Sequence, residues 1–312
     1  MSVPRDHFLA RAKAENDLPF DVLVRSSQNP AEEGIPAHAE CLAQGSNVFR
    51  SMLELGSPAN DLNSISVDQP PVVELDERPE ILVLLVDFLE RPPQFPPPIA
   101  ANYVPSPVPL SGDPPGNVLP WPLVTTLLDV ADKYDFSDNT LALLHAHLRS
   151  HVSSYPLPVY ALASRLELSS IASHASSFLL QPPLHQYSVS EIRILPSATS
   201  YHLLLVLQTH RLQRLKEIIT NEPLFPHDYG TCPKHGTSAA RSIWSAHKTA
   251  VLNSMDASSS IADMMGCDED TKQELKSCGE CSLGWERAVE MIRYKAGKVP
   301  REITQLAKNL LE

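Results

Sequence analysis

The chain has 312 residues, with 25 lysines and arginines against 37 aspartates and glutamates, a formal charge of −12. An acidic field of that size repels phosphate backbones and argues against broad nucleic-acid binding, and no apolar run approaches the roughly 18 to 20 residues that span a bilayer. Apolar residues at 43% and charged residues at 20% give a globular balance in a chain long enough for one large or two modest domains, although 29 prolines against 11 glycines is unusual.

Residues 1–17 alternate charged and small side chains without an apolar centre and are read as no secretory signal. With no route to an oxidising compartment, the five cysteines are expected to be thiols or metal ligands in a soluble, cytoplasmic or nuclear protein. Residues 22–24 read as a strand ending in a turn, and 35–37 as a second extended piece. Over 38–53, Leu42, Val48, Phe49, Met52 and Leu53 predict two short helices broken at Gly45, with Ser46 as a cap. Residues 72–75 alternate as a strand. Over 79–91 the spacing of Ile81, Leu84, Leu85, Phe88 and Leu89 predicts one buried helix face, ended by Arg91-Pro92-Pro93.

Residues 92–122 hold 12 of the 29 prolines. Proline supplies no donor to helix or ladder, so an extended surface insertion is expected there. Two helical stripes follow, one through Leu123, Leu127, Leu128, Ala131 and Tyr134, the other through Leu141, Leu144, Leu148 and Val152, and they predict an antiparallel hairpin. Pro156 and Pro158 open a further helix pair that Pro182-Pro183 closes. Residues 197–221 predict a long amphipathic helix with Arg211, Arg214 and Lys216 on its wet face. Helices are also expected over 239–256, over 268–276, from Trp285 onward and through 303–311. No repeat of fixed period argues for a solenoid or propeller.

Two pairs carry possible chemistry. Cys232-Pro233-Lys234-His235 and Cys278-Gly279-Glu280-Cys281 each separate two ligand side chains by two residues, the spacing that lets both reach one tetrahedral ion. Gly230, Gly236, Gly279 and Gly284 flank them and are expected to supply tight turns. Three readings stand: a structural zinc ion held by Cys232, His235, Cys278 and Cys281, with Cys267 or His227 as substitutes for His235; a Cys-x-x-Cys redox pair; or unrelated free thiols. Four protein ligands would close the shell and leave no position for catalytic water. Phosphate-binding glycine loops, nucleophile elbows and His-Glu-x-x-His helices are absent from the sequence. His145, His147 and His151 are read as not converging.

Several fragments in order resemble the BTB/POZ domain, in the form found in a large fungal, basidiomycete-type group: Asp21-Val22, Ala37-His38-Ala39, the run from Ser46 to Met52, Leu85-Val86-Asp87-Phe88-Leu89 and Ala131-Asp132-Lys133-Tyr134. The run from Val159 to Leu168, and Ser200-Tyr201-His202-Leu203-Leu204, resemble the helical extension that follows the domain in that group. Ala39 stands where the family pattern has a basic residue. The resemblance implies an α+β architecture: a BTB/POZ-like short sheet with a helical cluster at 18–152, interrupted by the proline-rich insertion at 92–122. A helical extension at 153–221 and an all-helical Cys/His-bearing tail at 222–312, with the zinc clip, complete it. It further implies a non-enzymatic protein-protein interaction module, a scaffold or adaptor. Its partners would be proteins, either another copy through self-association or a cullin-type ligase scaffold, the latter suggested by Met52-x-Glu54; neither nucleic acid nor membrane is expected. In this setting His38 starts a helix and is held inside the module, and Cys41 is a small buried apolar residue. The alternative is a metal-dependent or thiol-based enzyme housed in the C-terminal region, at 223–300.

Overall fold

In the computed structural model, inward Val22, Val24 and Ser26 alternate with half-buried Leu23 and Arg25 along Val22–Ser26 (β1), the pattern of a strand with one face on a core. The structure describes residues 20–29, 34–56, 70–97, 118–228, 230–236, 238–267, 269–275 and 278–307. Most of the expected proline-rich insertion therefore lies outside the described residues, and 92–97 are neither helix nor strand. The protein is mixed α and β, mostly helical with a small three-stranded sheet, and its residues divide into two compact units that meet in sequence between His151 and Val152.

In the first unit β1 pairs antiparallel with Ile35–Ala37 (β2), Val22 opposite Ala37, and parallel with Val72–Leu75 (β3), Leu23 opposite Val72, giving the order β2-β1-β3. Ala39–Gly45 (α1) and Asn47–Gly56 (α2) are separated at Ser46. The Ser46 hydroxyl accepts the Phe49 N–H at 3.2 Å and donates to the Tyr134 carbonyl at 2.5 Å, so it caps α2 and ties it to a distant segment. Gly45 is required by proximity: a Cβ there would lie 2.5 Å from Leu89 Cδ2.

Pro79–Glu90 (α3) begins with proline in its first turn and buries Leu82, Leu85, Val86, Phe88 and Leu89. Ile81 and Leu84, expected inside, are only half-buried. The buried face follows the packing of α3 against β1, β2, α1 and the helix that begins at Trp121. Trp121–Ala131 (α4) and Asp138–Ser150 (α5) pack on each other, and Leu127, Leu128, Leu144 and Leu148 are among their buried residues.

His147 and His151, one turn apart on α5, converge on the backbone of Leu119. The Leu119 N–H donates to His147 Nδ1 at 3.2 Å and the His151 Nε2–H donates to the Leu119 carbonyl at 2.7 Å. His147, accepting at Nδ1, is therefore neutral with its proton on Nε2, and His151 carries a proton on Nε2. Of His145, His147 and His151, expected not to converge, the last two do meet, because the four-residue step between 147 and 151 puts them on one face.

The second unit contains Pro156–Arg165 (α6), Ser169–Ser176 (α7), Val189–Ile192 (α8), Ala198–Asn221 (α9), Ser238–Ser254 (α10), Ile261–Met264 (α11), Glu269–Glu274 (α12) and Gly279–Ala296 (α13). Long α9 packs against both α10 and α13. Arg211, expected on its wet face, is 3% exposed. Its Nε donates to the Ala257 carbonyl at 2.7 Å and its Nη1 to those of Val299 and Pro300 at 3.0 and 3.1 Å. Charge-assisted bonds to carbonyls that follow α10 and α13 outweigh the cost of burying the guanidinium, and burial pulls its pKa down to about 10. The helix expected through 303–311 is a single 3-10 turn, Ile303–Gln305, among the described residues. No helix among the described residues is long and apolar enough to cross a membrane.

Two measurements follow from these buried groups. Arg211→Met should cost roughly 2–4 kcal/mol in equilibrium unfolding, since it leaves carbonyls without their donor. Burial holds His147 and His151 below the ordinary histidine range, with each other's proximity adding to this at His147. The unfolded chain then takes up protons that the folded chain refuses. Their contribution is complete above about pH 6.5 and is lost as the pH falls below it. Melts between about pH 7.5 and about pH 5 should show the midpoint falling with acid, and falling less steeply in His147→Gln/His151→Gln.

Candidate metal centre

Cys232 and Gly236 bracket a tight turn closed by the Gly236 N–H donating to the Cys232 carbonyl at 2.9 Å. Gly230 and Gly236 take φ values of +78° and +63°, the left-handed region that favours glycine, so the chain can fold back at both ends of this turn. The turn points Cys232 Sγ and His235 Nδ1 the same way, 3.7 Å apart. The second pair lies at the start of α13, where Cys278 is the N-cap and Cys281 occupies the first turn.

The two flanking glycines of α13 are not turn residues, contrary to expectation. Gly279 is the first helical residue, and Gly284 sits within the helix where a Cβ would come 2.6 Å from Phe225 Cε1. Gly284 therefore allows close packing of Phe225, which brings the segment leading to Cys232 against the helix that carries Cys281.

Across the pairs, Cys232 Sγ lies 3.6 Å from Cys278 Sγ, and Cys281 Sγ lies 3.7 Å from His235 Nδ1. The four ligand atoms all lie within 4.8 Å of one another. A tetrahedral ion with Zn–S of about 2.3 Å and Zn–N of about 2.0 Å demands ligand edges of about 3.8 Å for S···S and about 3.5 Å for S···N. The three separations match those edges to about 0.2 Å, so this buried cluster can hold a metal ion. Cys267 is outside the converging group and packs at the edge of the apolar cluster, while His227 is exposed in the turn before it.

The 42 residues between His235 and Cys278 contain α10, α11 and α12, and their core is aromatic. Trp244 and Trp285 meet edge to face at 4.6 Å; the Trp285 indole donates to the Met265 carbonyl at 2.7 Å and that of Trp244 to the Glu222 carbonyl at 3.2 Å. His247 completes this group against Trp285, with Nε2 bonded to the Met264 carbonyl at 2.9 Å. Cys232 and Cys281 belong to the same buried cluster, at 1% and 2% exposed.

Position splits the thiols. The backbone N–H of Cys281, followed by the neighbouring thiols and the N–H of Glu280, draws the Cys278 thiol down to about 6. Burial, followed by hydrogen bonding to the other two sulfurs, pushes Cys281 up to about 12. Sequence reasoning places Trp285 at the start of a helix but does not single out Trp244 or His247, so it misses the aromatic support.

No protein-family model, curated protein or solved structure matches this chain.

Metal-free reduced chain treated with limiting iodoacetamide near neutral pH should alkylate Cys278 well ahead of Cys232 and Cys281, by peptide mass mapping. Equal labelling of the three would show that the helix start does not favour the Cys278 thiolate.

Proposed function

We propose that the chain is a non-enzymatic protein-interaction module of the BTB/POZ type, a scaffold or adaptor, whose second unit is clipped by a structural zinc ion on Cys232, His235, Cys278 and Cys281. The observation that carries the metal part is the match between the cross-pair separations and the edges of a zinc tetrahedron. Three soft thiolates and an imidazole favour zinc over hard cations such as magnesium or calcium. All four positions come from protein, which supports a structural ion and speaks against a water-bearing catalytic one.

Support for the interaction part comes from the order of elements in the first unit. Two strands, a helix pair, a third strand and three further helices follow one another as the resemblance implies. On α2, Met52 and Leu55 stand exposed beside Glu54, an apolar and acidic surface suited to a protein partner. A second copy and a cullin-type scaffold are the two partners this reading carries.

Metal analysis and solution mass on the reduced full chain test both halves. Cys278→Ser/Cys281→Ser should lose one equivalent of zinc and lower the stability of the second unit while the first stays folded, since binding free energy at such a site is folding free energy. X-ray absorption on Cys41→Ser, which keeps all four tail ligands and removes the other Cys/His/Glu group, should show three sulfurs and one nitrogen with no bound water. A water-bearing shell would favour the enzyme reading, and a chain that holds no zinc would remove the clip. Met52→Ala/Glu54→Ala should weaken self-association or scaffold binding without shifting the melt; unchanged binding would remove that surface from the proposal.

A further inference from the structure

A second group of ligating side chains lies in the first unit, on elements that carry none of the tail ligands. His38, Cys41 and Glu90 each offer one ligand atom, and those atoms all lie within 4.8 Å of one another. His38 ends the stretch after β2, Cys41 lies one turn further on α1, and Glu90 is the last residue of α3, so three elements bring them together.

Glu90 is held at both oxygens. Its Oε1 accepts the His38 backbone N–H at 2.5 Å, and its Oε2 lies 2.7 Å from His38 Nδ1. Phe20 lies against the His38 ring, with centroids 4.9 Å apart, and Asp21 Oδ1 accepts the Ala39 N–H at 2.7 Å, fixing the start of α1. These contacts orient histidine and carboxylate in the manner of supporting groups around a metal site. Cys41, expected to be buried, is half-buried, so one side of the group faces solvent.

We propose that His38, Cys41 and Glu90 form a second site for a zinc-type divalent cation, with the fourth position left to water. The chemistry of the set decides the ion: one imidazole, one thiolate and one carboxylate form a borderline donor set that suits zinc and cobalt better than magnesium or calcium. Coordination puts the cation in place of the proton between Nδ1 and Oε2, and the neutral imidazole then carries its single proton on Nε2. At Zn–N and Zn–O of about 2.0–2.1 Å, a tetrahedral N···O edge is about 3.3 Å, so that gap opens by roughly 0.6 Å. The thiol gives up its proton to solvent in the same step.

This site is independent of the tail cluster, and variants separate the two. Reduced full chain is loaded with zinc, dialysed and measured for metal per chain. Two equivalents are expected in the unaltered protein, one in Cys41→Ser and one in Cys278→Ser/Cys281→Ser, with the remaining equivalent lost when the changes are combined. Cobalt loaded into Cys278→Ser/Cys281→Ser should give a thiolate-to-cobalt absorption band that Cys41→Ser abolishes. Glu90→Gln should also lose the second equivalent; should it unfold, Cys41→Ser at a half-buried position remains decisive. Metal content and the cobalt band unchanged by Cys41→Ser would overturn the site, whatever happens at the tail cluster.

Discussion

The second unit depends on the approach of two turns that are far apart in sequence. Cys232 and Cys278 have their sulfurs 3.6 Å apart. Bringing such distant positions together costs loop-closure entropy, which grows only slowly with length, so a long excursion is tolerated if something rewards its closure. Here the reward is shared. Trp244 and Trp285 bury a large aromatic area between the closing elements, and Gly284 lets Phe225 approach the helix carrying Cys281. Ligand geometry and apolar packing thus reinforce the same closure, and Cys232 and Cys281 belong to both.

The first unit is organised differently, by side chains that bind backbone. Ser46 bonds the Tyr134 carbonyl, Glu90 accepts the His38 N–H, and His147 with His151 holds both polar groups of Leu119. Each bond joins residues separated by tens of positions and satisfies a main-chain group that would otherwise need water. A three-stranded sheet with strands of three to five residues cannot stand on ladder bonds alone. These anchors fix helices around it, and α3, packed against both sheet and helices, carries much of the apolar contact.

Periodicity made most helices legible, because a buried stripe on α4, α5 or α13 leaves its spacing in the chain whatever the tertiary partner. What it could not show was where an element packs against several others. On α3 the buried set turned away from Ile81 and Leu84, and on α9 a guanidinium counted as polar, Arg211, was buried because carbonyls past two other helices needed donors. Pairing of β1 with both β2 and β3 was equally hidden, since short strands carry no register information of their own. At the candidate metal centre the reverse held. Two-residue spacers at Cys232 and Cys278 pointed to the converging side chains directly, as the approach of near neighbours in a turn is a local property, whereas the glycines around them split between left-handed turns at Gly230 and Gly236 and a packing role at Gly284.

Electrostatics explains why folding and metal binding at the tail would be coupled in the reading advanced above. The fold buries Cys281 deeply enough to hold its thiol protonated while the start of α13 favours the thiolate of Cys278, so the metal-free cluster is built for its ligands but mismatched in charge. Three thiolates with one divalent ion would leave one net negative charge. That charge would sit at the N-terminus of an 18-residue helix, where unpaired N–H groups and the dipole favour an anion. In that reading, removing the ion would return protons to buried sulfur, leaving apolar packing alone to hold the two ends of the excursion together.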